Sequence, residues 1–127
     1  MVAFEGWTPK RSWRKDGKGF CVEVICSENK HDDYAPYTWC VYAYIYPKHP
    51  LFERIEPHCH AWDTNTGLEC HSYVSFFRTH VGKDGVLSHQ IGWDYKHDGD
   101  DRYQMDSEGF SVFCDAENLV KQLNEDI

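Results

Sequence analysis

Asp94, His97 and Asp100 follow one another at three-residue spacing, directly after an apolar run that ends in Ile91 and Trp93. Two carboxylates and an imidazole so placed share one turn or loop, and loops carried by rigid strands are where function concentrates. Such a set can bind a divalent metal, or hydrogen-bond the hydroxyls and ring nitrogens of a nucleotide or sugar. An imidazole between carboxylates also has the setting of a general acid. A plainer use fits the same residues: Asp94 capping a turn and His97 hydrogen-bonded in a half-buried loop. His71, in the apolar segment before the next turn signal, is the natural fourth member.

Other polar residues make weaker cases. His58-Cys59-His60 and Cys70-His71 suggest zinc. Neighbouring side chains on an extended chain point to opposite faces, so each group offers few ligands to one ion. No Cys-x-x-Cys is present, and no metal or cofactor is expected. Asp94-x-Lys96-x-Asp98-Gly99-Asp100 copies the start of a calcium loop, but a lysine holds the third position and Met105 stands where a bidentate glutamate belongs. Ser72, Ser75 and Ser88 lie near His71 and His89 without the Gly-x-Ser-x-Gly elbow of a nucleophilic serine.

Strands must carry these groups. Val86–Trp93 reads as a strand returning from the hairpin turn Gly82-Lys83-Asp84-Gly85. Its partner is Cys70–Arg78, which would place His71 on the adjacent arm. Phe20–Cys26 alternates as a strand. Trp39–Tyr46 is apolar or aromatic on both faces, as in a central strand, and puts Tyr42, Tyr44 and Tyr46 on one side. That tyrosine side reads as a core face with polar tips or as a stacking surface for a planar ligand. Pro47 and Pro50 stop this strand, and Leu51–Ile55 suits a single helical turn. Residues 56–69 are irregular, and residues 96–109 form a polar loop. Phe110–Cys114 reads as a short last strand. Asp115 looks like an N-cap, and Ala116, Leu119, Val120 and Leu123 form one apolar helical stripe. Residues 1–19 read as a basic arm pinned by Trp7 and Trp13. The expected fold is a single α+β domain: an antiparallel sheet of about five strands within residues 20–114, and a C-terminal helix, residues 115–126, packed on one face.

Composition bounds the function. A chain of 127 residues with 16% aromatics can build one well-packed core. A formal charge of −8 repels phosphate backbones and disfavours nucleic-acid binding. No apolar run approaches the roughly 18 residues of a membrane span. Residues 1–15 lack the apolar centre of a secretory signal. Of six cysteines, Cys21, Cys26, Cys40 and Cys114 lie in apolar runs, so reduced, buried thiols are expected.

Three segments carry a resemblance: Tyr46-Pro47-Lys48-His49-Pro50-Leu51, His71-Ser72-Tyr73-Val74-Ser75-Phe76, and Gly92-Trp93-Asp94-Tyr95-Lys96-His97-Asp98-Gly99-Asp100. In order and rough spacing the chain from Trp39 to Leu123 resembles a family of small proteins encoded by bacteriophages and prophages. Ser72 and Tyr73 stand where that family has a glycine pair. The resemblance implies phage or prophage origin and a host-cytoplasm setting. It also implies a counter-defence role, exerted by binding a host protein or sequestering a nucleotide-like small molecule without catalysis. Asp94, His97, Asp100 and His71 then line the pocket, with His49 near its rim. Two other readings stand beside this one. The same residues would serve a metal-assisted hydrolase of a nucleotide or phosphate ester. Alternatively, the acidic surface would act as a decoy for a DNA-binding host protein. An exposed tyrosine face would favour a homo-oligomer.

Overall fold

The computed structural model describes residues 10–64 and 66–125. Its five strands are β1 Lys10–Gly17, β2 Phe20–Glu28, β3 Tyr37–Ile45, β4 Phe76–Gly82 and β5 Gly85–Asp94. They lie in the order β1-β2-β3-β5-β4, and each neighbouring pair is antiparallel. A short helix α1, Asp101–Gln104, and a long helix α2, Phe110–Glu125, complete the chain. The expected α+β class, with five antiparallel strands and a C-terminal helix on one face, is present.

Alternation along β2 and β3 makes the two layers. Phe20, Val22, Val24 and Cys26 pair with Ile45, Ala43, Val41 and Trp39, and all eight are buried. On β5, Trp93 and Ile91 continue this face opposite Val41 and Ala43. Helix α2 packs onto β2 and β3 and closes the core with Val112, Ala116, Leu119, Val120 and Leu123. Each large aliphatic side chain buried there contributes about 1.5–3 kcal/mol.

Three expectations about the elements are corrected. Within the basic arm expected over residues 1–19, residues 10–17 form edge strand β1, paired along its length with β2. From it Trp13 packs on the core, stacking on Trp39 at 5.9 Å and meeting Phe113 edge-on at 5.1 Å, while Arg11 and Arg14 reach the thiols of Cys26 and Cys21. A charged, mostly exposed edge of this kind discourages pairing with other chains. Trp7 lies outside the described residues. Second, Phe110–Cys114 is the start of α2 rather than a strand, so Asp115 sits within the helix and caps nothing. Gly109, at φ +70°, leaves no room for a side chain, since a Cβ there would come within 2.5 Å of the Trp39 ring. The helix therefore begins against Trp39, and Val112 extends the apolar stripe by one turn. Cys114 is consequently exposed; Cys40, on β3, is half-buried, Cys21 and Cys26 are buried as expected, and no disulfide joins the described cysteines. Third, β4 starts at Phe76 rather than Cys70. His71 accordingly lies in the loop before β4, beside Ser72, whose backbone is left-handed at φ +62°.

The tyrosine side of β3 faces away from α2. Tyr42 lies across Gly92, where a Cβ would meet its ring at 2.5 Å, and packs edge-on against Phe76 at 5.2 Å. Tyr44 sits near the Arg14 guanidinium at 5.6 Å and the His80 ring at 6.1 Å, and its hydroxyl donates to Glu23 at 3.2 Å. Burial, helped by Glu23, pushes the Tyr44 hydroxyl up to about 12. This face meets its own polar needs.

His89, on the core face of β5, is buried against the rings of Phe52 and Phe77 at 4.8 and 5.6 Å. Thr79 Oγ1 accepts the His58 N–H at 3.0 Å and hydrogen-bonds with His89 Nδ1, also 3.0 Å away. Burial, then the nearby His58, holds the His89 pKa below the ordinary imidazole value. Unfolded chains therefore take up a proton near about pH 6.5 that the folded protein refuses. Stability should fall as pH drops through that value toward the lowered folded one. Thermal denaturation is expected to give a lower melting temperature at mildly acidic than at neutral pH, with a shallower slope in His89→Gln. An unaltered slope in that variant would assign the proton to another group.

Candidate functional site

Strand β5 delivers Asp94 to the sheet end where it pairs with Cys40. Tyr95 then leaves the strand with its N–H donating to Trp39 O at 3.1 Å. Its buried hydroxyl accepts from Trp93 Nε1–H at 3.1 Å and donates to Asp115 at 2.6 Å. Burial, then this carboxylate, pushes the Tyr95 hydroxyl far upward. The turn that follows is thus anchored to sheet and helix together.

Asp100 organises that turn. Its side chain is 5% exposed, and Oδ1 lies 2.6 Å from His71 Nε2. Its other oxygen, Oδ2, accepts the His97 N–H at 2.9 Å. The His71 ring, 18% exposed, stacks on Tyr95 at 4.3 Å and meets Tyr103 edge-on at 4.9 Å. Both carboxylate oxygens are used inside the protein. The pair is a clasp joining the loop before β4 to the turn after β5. In that position it is structural, and a substrate could reach it only by breaking it.

Asp94 and His97 sit at the surface of the same corner. Asp94 Oδ1 accepts the Lys96 N–H at 3.0 Å and lies 3.3 Å from His97 Nε2. That approach is an ion-pair distance without hydrogen-bond alignment, and the nitrogen is screened from solvent. The Tyr73 ring tilts over His97 at 5.0 Å, with its hydroxyl 3.5 Å from Nδ1. The four residues His71, Asp94, His97 and Asp100 do converge, as two pairs with different fates: one sealed, one at the surface.

His49 does not join them. Ile45 pairs with His89 at the opposite end of β3 from Cys40, about 16 Å of strand away, and His49 lies beyond Ile45. It is buried, with Nδ1 accepting the Leu51 N–H at 3.1 Å and Nε2 donating to Leu123 O at 2.9 Å. Tying the end of β3 to the last turn of α2 is a structural task, so the rim position expected for His49 is corrected.

Tyr73 also borders a cleft that the sequence did not announce. The cleft has a volume of about 290 Å³ and is lined by Trp62, Thr64, Leu68, Tyr73 and Val74, among others. Trp62 is 77% and Tyr73 57% exposed. One face of the Trp62 indole is taken by His60, stacked at 4.6 Å and nearly parallel. The only hint in the sequence was a tryptophan inside a polar, aperiodic stretch, where no core face could receive it.

Among the described residues, no group of three or more His, Cys, Asp or Glu side chains is placed to hold a metal ion. The His58-Cys59-His60 and Cys70-His71 groups therefore do not assemble into a zinc site. Chemically, the corner offers exposed aromatic faces, the accessible carboxylates of Asp94, Asp98 and Asp101, and the His97 imidazole, beside the Asp100–His71 clasp.

Removing the Asp100 carboxylate leaves the His71 ring and the His97 N–H without their partner. Asp100→Ala is expected to cost about 2–4 kcal/mol, read as a melting temperature lowered by roughly ten degrees. Asp94→Ala, at the surface, should change it by about 1 kcal/mol or less. Equal effects of the two substitutions would contradict the division into a sealed and a surface pair. Comparison of the chain with family models, curated proteins and solved structures finds no match.

Proposed function

We propose that this chain is a non-enzymatic binding protein whose working surface is the Trp62–Tyr73 cleft with the Asp94–His97 pair at its border. One observation carries the reading: two aromatic rings that could have been buried are instead exposed on opposite segments of one cleft. Exposed Trp and Tyr in such places supply much of the energy of recognition, because they bring large apolar area at low entropic cost. The clasp below them keeps the cleft formed before a partner arrives, which lowers the cost of binding.

The acidic setting selects among targets. Asp94, Asp98 and Asp101 crowd the corner, so a phosphate-bearing ligand meets repulsion. A host protein is therefore the favoured target over a nucleotide. The resemblance to phage accessory proteins supports a host factor, met in the host cytoplasm and neutralised as part of counter-defence. A metal-assisted hydrolase is less well supported, because Asp100 and His71 already satisfy each other. The decoy reading needs only overall charge and makes no use of the cleft.

The test compares variants in a phage-protection assay on a defended host. Trp62→Ala and Tyr73→Ala should each lose most protection while keeping the wild-type melting temperature. Full protection by both variants would remove the cleft from the function and favour the decoy. EDTA-sensitive turnover of a nucleotide by the purified protein would replace binding with catalysis.

A further inference from the structure

The Trp62–Tyr73 cleft does not end at Leu68. A second cleft of about 270 Å³ shares Thr66, Gly67 and Leu68 with it and is bounded beyond them by Gln122 and Glu125 of α2. From these two adjoining clefts we infer a groove for an extended, basic, proline-bearing segment of a partner protein. The inference rests on the binding reading above and adds the chemistry of the occupant.

Shape argues first. Each cleft is no larger than the smallest pockets that enclose a drug-sized ligand, about 300 Å³. Two small hollows on either side of a narrow strap suit successive side chains of one extended chain. The lining of the first comes from loops around residues 61–64, 66–68 and 73–74, not from a sheet edge, so strand addition is not the mode. An extended polyproline-type segment needs no ladder, since its backbone stays solvated and its rings pack on aromatic faces. The exposed faces of Trp62 and Tyr73 provide that platform.

Charge argues second. No lysine or arginine is found among the described residues lining either cleft. Asp63 and Glu69 are exposed beside the groove, and Glu125 lines its second half. Asp94 lies beyond Tyr73, through His97. A segment placing prolines over the first cleft and an arginine over the second would meet complementary groups throughout. The groove is also preformed: Gln122 Oε1 accepts the Glu69 N–H at 2.6 Å, and Gln122 Nε2 donates to Glu69 O at 3.0 Å. This reciprocal pair fixes the 66–70 loop to α2.

The probe is a fluorescently labelled short peptide of alternating proline and arginine, titrated into the full chain by polarisation. Binding is expected to weaken about tenfold or more in Trp62→Ala, several-fold in Glu125→Lys, and steadily with added salt. Replacing the arginines by glutamates should abolish it, and replacing the prolines by glycines should weaken it about tenfold. A proline-only peptide should bind Glu125→Lys as well as it binds the wild type. Trp62 is exposed, so its loss should leave the fold intact, and an unchanged melting temperature checks this. Equal binding of acidic and basic peptides, or binding indifferent to both Trp62→Ala and Tyr73→Ala, overturns the inference. Quenching of Trp62 fluorescence by adenosine or glucose, with no peptide bound, overturns it too but leaves the binding reading standing. No binding by any of these probes, joined to full protection by Trp62→Ala, ends both.

Discussion

A carboxylate taken out of water must have both oxygens satisfied, and Asp100 meets that demand in a way that fixes much of the molecule's working corner. An unpaired charge there would cost several kcal/mol. One oxygen reaches His71, far back in the chain, and the other holds the His97 amide in the turn itself. The two contacts set where the loop before β4 stands relative to the end of β5. Tyr73 is two residues beyond His71, so the clasp also sets where its ring projects. One wall of the cleft thus depends on how a buried charge was neutralised, and the other on the Gln122–Glu69 pair.

The sheet supplies the stiff base for that arrangement. The long helix α2 covers one face, and the residues of the other pair among themselves: Tyr42 with Phe76, Tyr44 with Glu23 and Arg14, and His80 with Gln90 at 2.7 Å. Polar tips joined across strands let a sheet face do without a covering layer, because little apolar area remains to hide. Gly92 is essential to this packing, since any side chain there would collide with the Val41 carbonyl as well as with Tyr42. The glycine before Trp93 serves the sheet rather than ligand access.

Periodicity made α2, β2 and β3 legible, because their side chains sort cleanly into buried and exposed rows. It failed for β1, where seven of eight residues lack an apolar side chain and pairing is carried by the backbone. It misled at Phe110–Cys114, whose local strand preference yields to the packing of Val112 and Phe113 under Trp39. His71 meets Asp100, but from the loop before β4 rather than from the hairpin strand where its position was expected. Which carboxylate would be buried was not legible, since that depends on Tyr95 stacking on His71 and Tyr103 meeting it edge-on. Trp62 was invisible for a related reason: its importance comes from the meeting of two loops far apart in sequence.

Histidine gives the sharpest contrast between composition and structure. A chain with eight of them invites metal or acid–base chemistry. Yet His49 ties β3 to α2, His71 clasps Asp100, and His89 sits neutral beside Thr79. Folding consumes these rings. His97 differs, for its Nε2 is one of two buried side-chain polar atoms among the described residues that lack an aligned partner, the other being Ser75 Oγ. Well-packed proteins leave few such atoms, and each costs about 1–3 kcal/mol. Both belong to the two segments that frame the Tyr73 corner, so local satisfaction was given up where the cleft is built.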